Sequence, residues 1–146
     1  DVIPLYRNHR PSIRLPWQSL YILAMLRNVG ERIGIITDGR SLTQRNKIEA
    51  LGLNRFVSTE HIIISEEIGG DKTTSLPFET IASMVTDEKL TYVGDNPAKD
   101  FACPASMGWH TVCLLNAGRN IHPQNLSMLP PTTITIRSLT ELSDLH

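Results

Sequence analysis

Hydroxyl, carboxylate and amide side chains recur in this sequence just after short apolar runs. Thr37-Asp38-Gly39 follows Ile33-Gly34-Ile35-Ile36, and Ser65-Glu66-Glu67 follows His61-Ile62-Ile63-Ile64. Gly94-Asp95 follows Leu90-Thr91-Tyr92-Val93, and Asn116 follows the run that ends at Leu115. The densest group is Gly94-Asp95-Asn96-Pro97-Ala98-Lys99-Asp100. Two carboxylates spaced as Asp95 and Asp100 are, across a strand-to-helix turn, can converge on one hard cation. Mg2+ is such a cation, taking oxygen ligands while keeping several of its waters. Strand ends carry turn residues in any fold, so Asp38-Gly39 or Gly94-Asp95 alone would mean little. Their combination with Thr37 after one strand and Lys72 in the loop after the next is a more specific pattern.

The elements that must position these groups follow from periodicity. Three prolines and four basic side chains before residue 17 predict an extended connector. Apolar residues at Trp17, Leu20, Tyr21, Leu23, Ala24 and Leu26 predict a helix over 17–28, with Gly30 as its stop. Short apolar runs at 33–36, 61–64, 90–93, 109–115 and 132–136 predict buried strands. Ser41 and Gln44 form a capping-box pattern that opens a helix closed by Gly52. Residues 65–71 read as a polar loop, and 76–85 as a helix. Pro97 suits the first turn of a helix running to about Met107, a loop covers 118–131, and 139–145 reads as a last helix. Strands alternating with helices specify a doubly wound α/β fold, because each parallel connection must cross over the sheet. Open sheets of this kind bind ligands beyond the carboxyl ends of their strands, where all four polar groups fall.

Composition excludes other classes. The chain has 146 residues, 40% of them hydrophobic, enough for one packed domain rather than a disordered segment. Its formal net charge of -1 gives no global field for nucleic acid or an anionic membrane. No apolar run is long enough to span a bilayer, and a cytoplasmic location is expected. Cys103 and Cys113 lack C-x-x-C spacing, lie among apolar neighbours and are read as buried thiols. The five histidines have no ligand-like spacing, so zinc is not expected. Arg40 reads as an exposed first-turn residue, and Trp109 as a filler of core or edge space.

From Trp17 to about Leu115 the sequence resembles the haloacid dehalogenase-like hydrolase superfamily. Its second motif, an apolar strand ending in Thr or Ser, is similar to Ile33-Gly34-Ile35-Ile36-Thr37. Its third, a Lys before a helix, is similar to Lys72, with Thr73 where Pro is usual. Its fourth, G-D-x-x-x-x-D, is matched by Gly94-Asp95 and Asp100. The resemblance implies a Rossmann-like core over 17–146, with 1–16 as a linker returning from a helical cap. It implies a Mg2+-dependent phosphatase acting on a small phosphorylated substrate. In that reading Thr37 donates its hydroxyl, and Asp38 and Gly39 complete the phosphate-binding turn, the Asp38 N–H adding a second donor. Lys72 neutralises the phosphoryl group and the attacking carboxylate. Asp95 binds the metal directly, and Asp100 is a second ligand or an orienter of Lys72 and metal-bound water. Asn96 holds a metal-bound water or serves only the turn.

The family's nucleophile lies in an N-terminal D-x-D motif, and this sequence contains no D-x-D. Without that carboxylate no aspartyl-phosphate forms, and the remaining groups can only bind and polarise. The expectation is a core fragment, inactive alone, whose nucleophile-bearing central strand and cap belong to a missing N-terminal segment. That strand would sit between those ending at Thr37 and Asp95, so its loss should leave a gap in the sheet. Two other readings are a non-catalytic phosphate- and metal-binding module and a dehalogenase that needs no metal. Oligomeric state stays open.

Overall fold

The computed structural model describes residues 14–85, 89–115 and 124–145. The expected linker over 1–16 lies almost wholly outside these residues, as do Asn116 and much of the expected loop. Helix α1 spans Trp17–Asn28 and strand β1 spans Ile35–Thr37. Helix α2 (Ser41–Ala50) leads to β2 (Ile62–Ile64), and two short helices, α3 (Ser65–Ile68) and α4 (Leu76–Met84), follow. Then come β3 (Thr91–Gly94), α5 (Ala102–Ser106), β4 (His110–Leu114) and β5 (Ile134–Ile136).

All strand pairs are parallel, as the alternation of elements requires. β1 pairs with β2, placing Ile35 beside Ile62 and Thr37 beside Ile64. β3 pairs with β4, and β4 with β5. Among the described residues the ladders form two separate sheets, β1-β2 and β3-β4-β5. Alternation along each strand sends consecutive side chains to opposite faces. Ile35, Ile62 and Val112 join Ile22, Ile48 and Leu139 in one core cluster. Ile36, Ile63 and Cys113 join Phe78, Tyr92 and Phe101 in the other. Phe78 meets Tyr92 and Trp109 edge-on, at ring separations of 5.2 and 5.6 Å. Apolar layers on both faces are the signature of a doubly wound sheet.

A cavity of about 260 Å³ lies between the two sheets. Ile33, Gly34 and Ile36 line it from the β1 side, and Leu90, Tyr92 and Val93 from the β3 side. Among the described residues no strand pairs with β1 and β3 across this cavity, and the two strands do not close on each other.

Several local expectations are corrected. α1 buries Ser19, Ile22 and Leu23, whereas Trp17, Leu20 and Tyr21 are exposed, so its inward face is rotated from the predicted one. The capping box at Ser41 does not form. Arg40 is the N-cap, the Ser41 hydroxyl bonds Glu67, and Gln44 turns to Thr37. Tertiary partners here outcompete a local motif. Part of the loop at 65–71 is the helix α3, which ends on Gly69 at φ 78°, a left-handed conformation suited to glycine. The helix expected from Pro97 begins only at Ala102, with Pro104 in its first turn, where a missing N–H costs nothing. Residues 96–100 form a separate turn closed by Asp100 N–H to the Asn96 carbonyl at 2.9 Å. Leu139–Leu145 is 3-10 rather than α-helical. Cys113 is buried as expected, but Cys103 is only half-buried. Among the described residues no helix is long and apolar enough to cross a membrane.

Candidate active site

β1 ends at Thr37 and β3 at Gly94, so the turns carrying Asp38 and Asp95 emerge from the same, carboxyl, end of the two parallel ladders. Between them lies a buried ion pair. Lys72 Nζ stands 2.8 Å from Asp100 Oδ1, with the two side chains 5% and 0% exposed. The other oxygen, Oδ2, accepts the main-chain N–H groups of Asp95 at 3.1 Å and Asn96 at 2.9 Å. Asp100 therefore folds back over its own turn and ties it to Lys72. Gly94 permits this approach, because a Cβ there would lie 2.5 Å from Asp100 Oδ2.

The electrostatics reinforce the pair. Burial alone would lower the Lys72 pKa, but charge outweighs it, from Tyr92 once that group is ionised and from Asp100 already at neutral pH, and holds the ammonium well above the ordinary lysine value. Burial alone would raise the Asp100 pKa, but Lys72 and the N–H donors hold it below the usual carboxylate range. Both groups are charged at neutral pH. Tyr92, buried beneath them, is raised by that burial against the opposing pull of Lys72, and it stays a phenol.

The loop after β1 is held just as closely. Thr37 Oγ1 donates to Gln44 Oε1 at 3.0 Å, and the Gly39 N–H donates to Ser65 Oγ at 2.9 Å. Asp38 Oδ1 accepts the Lys72 main-chain N–H at 3.1 Å, and Asp38 Oδ2 lies 2.7 Å from Lys99 Nζ. Thr37, Asp38, Lys72, Asp95 and Asp100 are thus linked through consecutive contacts into one cluster, with Gly39 at its exposed rim. Glu66 and Glu67 point elsewhere. They bind the Ser41 N–H and the Ser41 and Arg45 side chains, anchoring α2 to α3. Asn96 Oδ1 accepts the Ala98 N–H at 3.1 Å, a turn contact.

Sequence reasoning missed the Asp38 carboxylate, Lys99 and Gln124. Lys99 adjoins Asp100, so its proximity could have been weighed. Gln124 donates to the carbonyls of Asp95 and Leu114 at 2.7 and 2.8 Å, from a loop that gave no signal.

As a metal site the cluster is partial. Asp95 is a buried carboxylate, 3% exposed, of the hard-oxygen type that suits Mg2+. Both oxygens of Asp100 already face donors. Among the described residues no group of three or more His, Cys, Asp or Glu side chains could hold a metal.

The sequence profile of haloacid dehalogenase-like hydrolases matches residues 6–114. The chain belongs to that family. Glyceraldehyde 3-phosphate phosphatase of Methanopyrus kandleri is 32% identical, over 74% of this chain and 47% of the relative. The protein of the same name from Methanocaldococcus jannaschii is 29% identical, over 96% and 60%. Pyrimidine 5'-nucleotidase YjjG of Escherichia coli is 31% identical, over 78% and 49%. The chain therefore spans about half the length of the curated relatives it matches. Among solved structures, magnesium-bound YfnB of Bacillus subtilis superposes with a TM-score of 0.72 at 22% identity, over 90% of this chain and 55% of that one. A haloacid dehalogenase-like hydrolase from Xanthomonas campestris gives 0.68 at 13%, over 92% and 50%. These superpositions establish the Rossmann-like fold.

Proposed function

We propose that this chain is the core part of a Mg2+-dependent phosphatase acting on a small phosphorylated metabolite through an aspartyl-phosphate intermediate. The carrying observation is the buried Lys72–Asp100 pair, set between the Thr37-Asp38 turn and Asp95 at the carboxyl ends of both ladders. Such a pair is a poor source of stability, since desolvating both charges offsets most of their attraction. Its value lies in presenting one fixed ammonium to an anion. The curated relatives named as phosphatases and a nucleotidase support the same chemistry.

In this reading Thr37 Oγ1 leaves Gln44 to donate to a phosphoryl oxygen, and the Asp38 N–H donates to another. Lys72 neutralises the charge that builds up between the phosphoryl group and the attacking carboxylate. Such donors, fixed before the reaction, need no reorganisation as charge develops. Asp100 orients Lys72 and the Asp95 turn, because its oxygens are already committed there. Asp95 would hold Mg2+, with the rest of the shell coming from water and the nucleophile, and the bound ion would supply charge neutralisation. The nucleophile would belong to a strand outside this chain, seated between β1 and β3 and pairing with both. Residues 1–16 would then return the chain from a cap.

The test is a phosphatase screen of the full-length protein, with glyceraldehyde 3-phosphate, pyrimidine nucleotides and a chromogenic monoester, with and without chelator. Chelator-sensitive turnover that Asp95→Asn abolishes is expected. Turnover of a 2-haloacid unaffected by chelator would favour the dehalogenase reading instead. Intact mass of the purified material, with a search for a second polypeptide, tests the seated strand. A folded, monomeric 16.3 kDa species would count against it.

A further inference from the structure

The phosphate-binding role assigned to residues 37–39 uses the Thr37 hydroxyl and main-chain N–H groups, and leaves the Asp38 carboxylate without a task. That carboxylate is 19% exposed and engaged on both sides. Oδ1 accepts the Lys72 N–H at 3.1 Å, and Oδ2 meets Lys99 Nζ at 2.7 Å. The neighbouring Asp100 meets Lys72 Nζ at 2.8 Å. Two ion pairs of opposite polarity therefore run side by side. Asp38 and Lys72 belong to the loops of the β1-β2 sheet, and their partners, Lys99 and Asp100, are consecutive residues of the loop after β3. No ladder hydrogen bond joins β1 to β3, so these contacts bridge the two sheets at the edge where the cluster forms. A lysine ammonium sits on a flexible four-carbon stem, and its placement depends on where its main chain is held. A displacement of about 1 Å in such a group can cost on the order of a hundredfold in rate.

We propose that the Asp38 carboxylate is a positioning residue: by holding the Lys72 N–H with one oxygen and the Lys99 ammonium with the other, it fixes the Lys72 loop against the loop that carries Asp95 and Asp100. Its catalytic consequence rests on the phosphatase reading above, whereas the tether itself does not.

The full-length protein is compared with Asp38→Asn, Asp38→Leu and Lys99→Met. Asparagine keeps an acceptor for the Lys72 N–H but loses the charge facing Lys99, and leucine loses both. Amide exchange at Lys72, followed by NMR, should quicken by less than about tenfold in Asp38→Asn and by about a hundredfold in Asp38→Leu, as a lost charge-assisted bond requires. With p-nitrophenyl phosphate, kcat should fall about tenfold in Asp38→Asn and Lys99→Met and about a hundredfold in Asp38→Leu, with KM little changed. Unaltered Lys72 exchange in Asp38→Leu overturns the tether. Equal losses of kcat in the asparagine and leucine variants, or a loss confined to KM, overturn the positioning role. If Asp38→Leu fails to fold, the Asp38→Asn and Lys99→Met arms decide, and unaltered exchange and kcat in both overturn the proposal. If the wild-type protein hydrolyses no phosphomonoester, the phosphatase reading fails and the exchange arm still decides the tether.

Discussion

Replacing Asp100 by Asn separates the charge of this residue from its shape. The amide oxygen can still accept the N–H groups of Asp95 and Asn96, which lie 3.1 and 2.9 Å from Oδ2. Its NH2 group must then face Lys72 Nζ, 2.8 Å from the present Oδ1. A buried ammonium is left against a donor. Removing one member of a buried pair costs about 3 to 5 kcal/mol, and the retained acceptor places this case near the lower end. About 3 kcal/mol raises the unfolding constant by on the order of a hundredfold. In urea, with a slope of about 1 to 3 kcal/mol per molar, the midpoint should fall by about 1 to 3 M. The pH dependence carries its own signature. In the wild type the Lys72 pKa is raised, so its contribution is complete below the unfolded lysine value and lost as pH rises through the folded one. In Asp100→Asn burial should dominate and lower that pKa, so the variant should regain stability as pH rises. Wild type minus variant should therefore narrow in alkali. A double-mutant cycle with Lys72→Met should give a coupling of about 2 kcal/mol or more, because removing both charges relieves the uncompensated one. A midpoint unchanged within error, or a coupling under about 0.5 kcal/mol, would refute this account of the pair.

Other outcomes follow from the same geometry. Asp100 has a depressed pKa, so its stabilisation is present above the unfolded carboxylate value and lost as pH falls through the folded one; acid titration of stability should be shallower in Asp100→Asn. Gly94→Ala puts a Cβ 2.5 Å from Asp100 Oδ2 and should cost about 1 to 3 kcal/mol in denaturant unfolding, although Gly94 has no positive φ to lose. Phe78→Ala empties a fully buried site between Tyr92 and Trp109 and should cost about 3 to 5 kcal/mol by the same assay. The Cys113 thiol, pushed up to about 11 chiefly by burial, should resist alkylation at pH 8 in the native protein; labelling as fast as in denaturant would contradict its burial.

Much of this protein is written locally. Apolar runs such as Ile62-Ile63-Ile64 specify strands buried on both faces, and their alternation with helices leaves a parallel sheet as the economical arrangement. That topology puts Thr37, Asp38, Asp95 and Asp100 at one end of the ladders, so their convergence with Lys72 was legible from type and order. What the sequence could not decide depends on partners far along the chain. The capping pattern at Ser41 is locally sound, yet Glu67 and Thr37 claim its two side chains. The exposure of Trp17 and Tyr21 reflects which side of α1 meets the sheet, a matter of docking rather than periodicity. Whether Asp100 serves a cation or a lysine turned on the path of its turn, which brings Oδ2 onto two N–H groups and Oδ1 onto Lys72. That the Asp38 carboxylate would meet Lys99 was not legible from either motif, because ion pairing between distant loops needs only proximity, and proximity is created by the fold.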